Sequence, residues 1–178
     1  MKKTLVVLAL TLAVFLTSCS PQTPNNEGQL LSYNQTKTLT ETYNQPFKTT
    51  ANITYNDINV KANIEKTSNG NTTVTFESPE TLSSLSFEVS ADDVKVNYLG
   101  MTFHIDPNNL DSSMLVSTIV STFNSVANQK GISAKVKDNT VSIEGENSGA
   151  KFEMVLDREN KNALSLDIPS IGLSAKFE

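Results

Sequence analysis

From Phe47 onward, apolar and polar residues alternate with a period of two, and this alternation restricts the fold more than any other feature of the sequence. Ile58, Val60, Ala62 and Ile64 fall on one side of an extended chain, while Asn59, Lys61, Asn63 and Glu65 fall on the other. The pattern recurs at Val74 and Phe76, at Leu85, Phe87 and Val89, at Val94, Val96 and Tyr98, and at Met101, Phe103 and Ile105. It resumes at Ala134 and Val136, Val141 and Ile143, Phe152, Met154 and Leu156, Leu164, Leu166 and Ile168, and Ile171, Leu173, Ala175 and Phe177. Strands with one buried and one wet face pair antiparallel. Asn56-Asp57, Leu99-Gly100, Asp138-Asn139 and Ser148-Gly149 separate the runs by hairpin-length turns. The expected fold is α+β, a curled antiparallel half-barrel of about 10–11 strands, because so wide a sheet does not stay flat and open.

Two segments depart from the alternation. In 111–130, Leu115, Ile119, Phe123 and Val126 recur at helical spacing, with Met114, Val116, Val120 and Ala127 widening the apolar arc. Asp111 or Ser112 can cap the start, and Gly131 is the expected left-handed residue past the end. A helix this apolar belongs on the concave side of the sheet. It either completes the core there or meets the sheet imperfectly and leaves an apolar cavity. The second segment is 30–45, where Leu31, Gln35, Leu39 and Tyr43 recur every four residues before Pro46, which predicts an N-terminal helix.

The amino terminus carries an export signal. Lys2 and Lys3 precede an apolar run from Thr4 to Leu16, too short to span a bilayer and of the length of a signal-peptide core. Leu16-Thr17-Ser18-Cys19 resembles the bacterial lipobox, in which the Cys receives a diacylglyceryl group and becomes the first residue. Residues 1–18 are therefore expected to be a lipoprotein signal peptide and Cys19 a lipidated anchor. Cleavage removes Lys2 and Lys3 and takes the side-chain charge from −5 to −7, so the acyl chains, not the protein surface, would hold the membrane. Residues 19–29 hold two prolines and a glycine among polar side chains and are expected to form a flexible tether, leaving 30–178 as the folded domain.

Signs of chemistry are sparse. With 19 acidic against 14 basic side chains there is no cationic footprint for a nucleic acid. A single Cys closes no internal disulfide, and one His with one Cys does not build the usual zinc sites. His104 is expected on the solvated face, opposite Met101, Phe103 and Ile105. No serine stands in a nucleophile motif, no Gly-rich phosphate loop occurs, and Asp106, Asn108 and Asp111 lack the spacing of a calcium loop. The sequence points to a protein that is not an enzyme, holds no cofactor or metal, and is a monomer.

Signal and lipobox, helical lead-in, a meander of hairpins and an apolar helix after the sixth strand together resemble the LolA/LolB superfamily. The passage Val74-Thr75-Phe76-Glu77-Ser78-Pro79-Glu80-Thr81-Leu82, followed by two short strands and Gly100, is similar to that group's run of strand, Pro, Leu, strand, turn and strand. Its members include the periplasmic lipoprotein carriers, mycobacterial lipid-binding lipoproteins of the LppX/LprG type, and the sensor RseB. The carriers have an inward-facing Arg; the only Arg here, Arg158, falls in an expected turn, so no carrier residue is assigned. The resemblance implies a half-barrel closed by helices with acyl chains held between them. On that reading the protein is lipid-anchored to the outer face of the cytoplasmic membrane, or to an outer membrane, and binds a lipid or amphiphile. Phe76, Phe87, Val96, Phe103, Leu115, Ile119, Phe123 and Val126 would line its cavity. The other reading is a structural or sensory envelope module that binds a protein partner.

Replacing Cys19 with Ala is expected to release the protein from membranes as a folded, soluble domain. Fractionation of cells after a salt wash checks this; a Cys19→Ala protein that still sediments with membranes contradicts it.

Overall fold

The computed structural model describes residues 28–106 and 115–178. Cys19, the expected signal peptide and the expected cap at Asp111 or Ser112 lie outside those residues. The described chain forms one antiparallel sheet of twelve strands with two α-helices. A short strand β1 (Gln29–Leu30) and helix α1 (Tyr33–Thr40) lead into the first meander, β2 (Phe47–Tyr55), β3 (Ile58–Lys66), β4 (Thr72–Ser78), β5 (Leu85–Val89), β6 (Val94–Tyr98) and β7 (Met101–Ile105). Helix α2 (Leu115–Ala127) separates it from the second, β8 (Ile132–Lys137), β9 (Thr140–Asn147), β10 (Ala150–Asp157), β11 (Ala163–Ile168) and β12 (Leu173–Phe177). The spatial order is β1-β8-β9-β10-β11-β12-β2-β3-β4-β5-β6-β7, so β12 pairing with β2 joins the two meanders. The strands expected from alternation are all present; the twelfth is the two-residue β1.

Alternation becomes a core through register. Val60, Ile53, Ala175, Leu166, Met154, Ile143 and Ala134 stand directly opposite one another on seven successive strands from β3 to β8. None is more than 6% exposed. The outer face of the same strands is a polar lattice: Thr50 donates to Asn63 Oδ1 at 2.8 Å, and Asn63 donates to Glu77 Oε1 at 2.5 Å. Slipping one strand by a residue would exchange these two faces, which is why the register is fixed. Tight turns hold it locally. Asn56-Asp57, Leu99-Gly100 and Ser148-Gly149 each place two consecutive residues at positive φ, the twist that suits a two-residue hairpin.

The helices differ from expectation at their ends. The expected N-terminal helix over 30–45 is an α-helix only from Tyr33 to Thr40, followed by a 3₁₀ turn at Glu41–Asn44. Ser32 and Gln35 form a reciprocal capping box that fixes its start. Gln35 is therefore engaged in the cap and stays exposed, and the buried side is Thr36, Thr40 and Tyr43. Upstream, Gln29, the last residue assigned to the expected tether, joins Leu30 in pairing with Val136 and Lys135 of β8, while residues 19–27 lie outside the described residues. Helix α2 stops at Ala127, not at 130, because Gln129 takes a left-handed φ of 52°. The Gln129 N–H donates to Val126 O at 3.2 Å and the Lys130 N–H to Ser125 O at 3.0 Å, the paired bonds of a Schellman end. Gly131 is also left-handed, at φ 63°, but lies two residues past the one that ends the helix.

Gly145 shows how closely side chains of neighbouring strands pack. It stands opposite Phe152 on β10 and Ile132 on β8. A Cβ at this position would lie 2.5 Å from Phe152 Cζ and 2.9 Å from Ile132 Cγ2. The aromatic ring occupies the room that the missing side chain leaves. Gly145→Ala is expected to cost about 1–3 kcal/mol through overpacking, read as a lower denaturant midpoint; an unchanged midpoint contradicts this packing.

Candidate functional site

Helix α2 is buried around most of its circumference: Val116, Thr118, Ile119, Val120, Thr122, Phe123, Val126 and Ala127 are all inaccessible. Its two buried threonines do not leave open hydroxyls in the core, since Thr122 Oγ1 donates to Thr118 O at 2.8 Å and Thr118 is itself bonded. The centre of its packing is Phe123. The Phe123 ring lies 5.5 Å from Tyr43, 5.1 Å from Phe47 and 5.6 Å from Phe177, which brings together the 3₁₀ turn, β2 and β12. Polar contacts hold the helix at both sides of this cluster. Asn44 Nδ2 donates to Ala127 O at 3.0 Å, and Asn147 Nδ2 of β9 donates to Ser121 Oγ. Tyr43 donates to Lys161 O at 2.7 Å, and burial pushes its phenol well above the ordinary tyrosine value. Lys66 Nζ donates to Tyr43 O at 2.9 Å, and partial burial pulls its ammonium below the ordinary lysine value.

The eight residues expected to line a cavity divide into two groups. Ile119, Phe123 and Val126 are at most 3% exposed and belong to the core beneath α2. Leu115 is half-buried at the helix start and packs against that core. Phe76 and Phe87 are buried too, with rings edge-to-face at 6.3 Å. Val96 is half-buried, and Phe103 lies outside the core at 51% exposure. Helix α2 packs chiefly on β9 and the 3₁₀ turn, which leaves the β5–β7 wing less covered. Phe123 lines a cavity of about 110 Å³ between Tyr43, Phe47, Lys161 and Glu178. That volume is below the roughly 150 Å³ that accepts one benzene, and so too small for an acyl chain.

The wing is where apolar surface meets solvent. Ile64, Val74, Phe87, Val96 and Phe103 are direct cross-strand neighbours in a single row running outward from β3 to β7. Ile64 and Val74 are fully buried, Phe87 is 8% exposed and Phe103 51%. A parallel row, Leu85, Tyr98 and Met101, ends at 52% exposure for Met101. The concave face thus stays apolar to the edge of the sheet while its cover thins. Alternation in the sequence assigned these side chains to the inner face; their exposure follows from β7 being the outermost strand.

His104 lies on the opposite face, as expected, and its Nδ1 is 2.8 Å from Asp93 Oδ2, a partner that sequence spacing did not suggest. Among the described residues no three His, Cys, Asp or Glu side chains converge to hold a metal ion. Arg158 sits in the β10–β11 turn with its N–H donating to Asn139 O at 3.0 Å.

No protein-family model matches the sequence, and no curated protein matches it. Solved structures do resemble the fold. An uncharacterized conserved protein from Thermus thermophilus superposes with a TM-score of 0.51 at 14% identity, over 83% of this chain and 87% of the other. LprF from Mycobacterium bovis gives 0.42 at 13% identity, over 85% and 93%. A LolA superfamily protein from Nitrosomonas europaea gives 0.43 at 9% identity, over 83% and 92%. At these identities the likeness is one of fold alone.

Because Ile119 is fully buried, Ile119→Trp is expected to overpack the core and cost about 1–3 kcal/mol or more. Thermal or denaturant unfolding measures it. A variant as stable as the wild type would mean that the space beside Ile119 is open.

Proposed function

We propose that the protein is a lipid-anchored envelope lipoprotein, not an enzyme, that shelters the acyl chain of a lipid or other amphiphile on the concave face of its sheet. The observation that carries this reading is the row Ile64–Val74–Phe87–Val96–Phe103, apolar throughout yet exposed at its outer end. An apolar surface that continues from a packed core into solvent offers an acyl chain a floor already fixed in place. Each methylene covered there contributes about 0.8 kcal/mol. Phe87, Val96 and Phe103 form that floor, with Phe76 buried behind it. Ile119, Phe123 and Val126 hold α2 in place, and Leu115 stands at the margin of the core. The fold likeness is compatible with this reading and does not carry it. The expected anchor at Cys19 would keep such a site near a supply of lipid.

A fluorescent fatty-acid probe tests the site. The wild type is expected to bind it, and Phe103→Asp to weaken binding by about tenfold, since an ionised carboxylate is costly to cover with hydrocarbon. Thr102→Asp, on the same strand but the opposite face, is expected to leave binding unchanged. No binding by the wild type, or equal losses from the two variants, would overturn the proposal. Mass spectrometry of organic extracts from the protein purified out of its own membrane would identify the ligand.

A further inference from the structure

Strand β7 ends the sheet, and among the described residues no strand pairs with its outer edge. Edge strands in native proteins are usually protected by a lysine, a proline, a bulge or a covering segment. The strand Met101-Thr102-Phe103-His104-Ile105 has no charged acid or amine and no proline, and it pairs with β6 without a register shift. Four of its five residues are exposed.

We propose that this edge pairs with the same edge of a second copy of the chain, antiparallel about a two-fold axis at Phe103. The hairpin itself sets the register. A two-residue turn at Leu99-Gly100 makes Tyr98 and Met101 a hydrogen-bonded closing pair. Because such pairs alternate along an antiparallel ladder, the backbone N–H and C=O groups of Met101, Phe103 and Ile105 point to β6, and those of Thr102 and His104 point outward. An axis at Phe103 sets Thr102 of one copy against His104 of the other, twice, and closes four N–H···O=C bonds. Phe103 then faces its own counterpart in a non-hydrogen-bonded position, with Cα atoms about 4.5 Å apart. Met101 faces Ile105 of the second copy in the same kind of position. Every pair on the concave side is apolar, and no like charges meet on the other side although the whole chain carries −5.

The axis is perpendicular to the sheet, so the apolar rows of both copies open to the same side. This assembly departs from the monomer expected from the sequence. Five paired residues bury less than the roughly 800 Å² per partner of a stable interface, so the pair is weak in dilute solution and is favoured where chains are concentrated on one surface. It rests on the edge's backbone geometry alone and holds whether or not the concave face takes a lipid.

Disulfide trapping in membranes of cells that express the full chain tests the register. Non-hydrogen-bonded antiparallel pairs have the Cα spacing of a disulfide. Under a mild oxidant, Phe103→Cys is expected to give about tenfold more disulfide-linked dimer than Met101→Cys or Ile105→Cys alone. The double variant Met101→Cys/Ile105→Cys is expected to restore the dimer. Phe103 and Met101 are half exposed while Ile105 packs against the core, and an unchanged unfolding midpoint verifies that each variant stays folded. In a measurement free of cross-linking, Phe103→Lys sets two ammonium groups face to face and is expected to abolish the resonance energy transfer that labelled wild-type chains show between copies in the same membranes. Equal cross-linking at 101, 103 and 105, cross-links only to proteins of other mass, or a wild type without energy transfer between copies would overturn the proposal. Probe binding by a chain that fails to cross-link would leave the lipid site standing and remove the dimer.

Discussion

The two meanders share a single line of strand pairing, β2 with β12, and Phe123 packs across it. Its ring contacts Phe47 on β2 and Phe177 on β12, and Tyr43 packs against Phe47 and against Phe123 itself. A sheet of twelve strands curls, but curling alone does not make an interior; something must occupy the hollow. Helix α2 does so with side chains on nearly all its faces, and Phe123 places it over the seam. The row from Val60 to Ala134 depends on this, because those residues are buried only while the hollow is filled. Each aromatic contact adds about 0.5–1.5 kcal/mol beyond the area it covers. Removing the ring would therefore loosen two halves of the sheet and the helix together.

Alternation located the strands of both meanders because in each one the inner face is apolar and the outer face wet, and a period of two has no other common meaning. It did not locate β1. Gln29 and Leu30 carry no pattern of their own and extend only because β8 offers an unpaired edge. Neither the capping box of Ser32 and Gln35 nor the buried side of α1 was read from the sequence, whose i+4 spacing placed Gln35 on the apolar face. Thr36 and Thr40 count as polar in any hydropathy pattern, yet they are only 6% and 0% exposed. The end of α2 escaped the sequence for a related reason. Glycine is the least strained residue at a left-handed position, so Gly131 drew the assignment, whereas the bonds that close the helix need that conformation at Gln129.

The candidate site was legible in part. The inward direction of Phe76, Phe87, Val96 and Phe103 follows from parity along each strand. How much covers them depends on strand order and on where α2 lies, and neither is written in a local pattern. Leu115, Ile119, Phe123 and Val126 share a helix face, as their spacing requires, but that face meets the β2–β12 seam and β9 more than the β5–β7 wing. One continuous apolar face therefore has two uses: sealed under the helix it is a core, and beyond the helix it is a surface. The exposed polar pairs on the convex side, such as Lys48 with Glu65 at 3.4 Å, add little to stability and serve to keep that side wet.

The order of the strands also sets the order in which the molecule can be completed. Each meander is a succession of hairpins and can assemble from neighbouring segments. The seam cannot, for Asn52 on β2 meets Glu178, 126 residues further along. Until β12 arrives, β2 and β11 both present open edges, and the hollow that receives α2 has only half its wall. Contacts at such separation form late, because the entropy of closing the loop must be overcome before they return anything. A chain passing through a membrane from its amino terminus would thus stay unlatched for almost its whole length. It would acquire a closed core only when its last strand had emerged, a delay that keeps it compatible with transport as an extended thread.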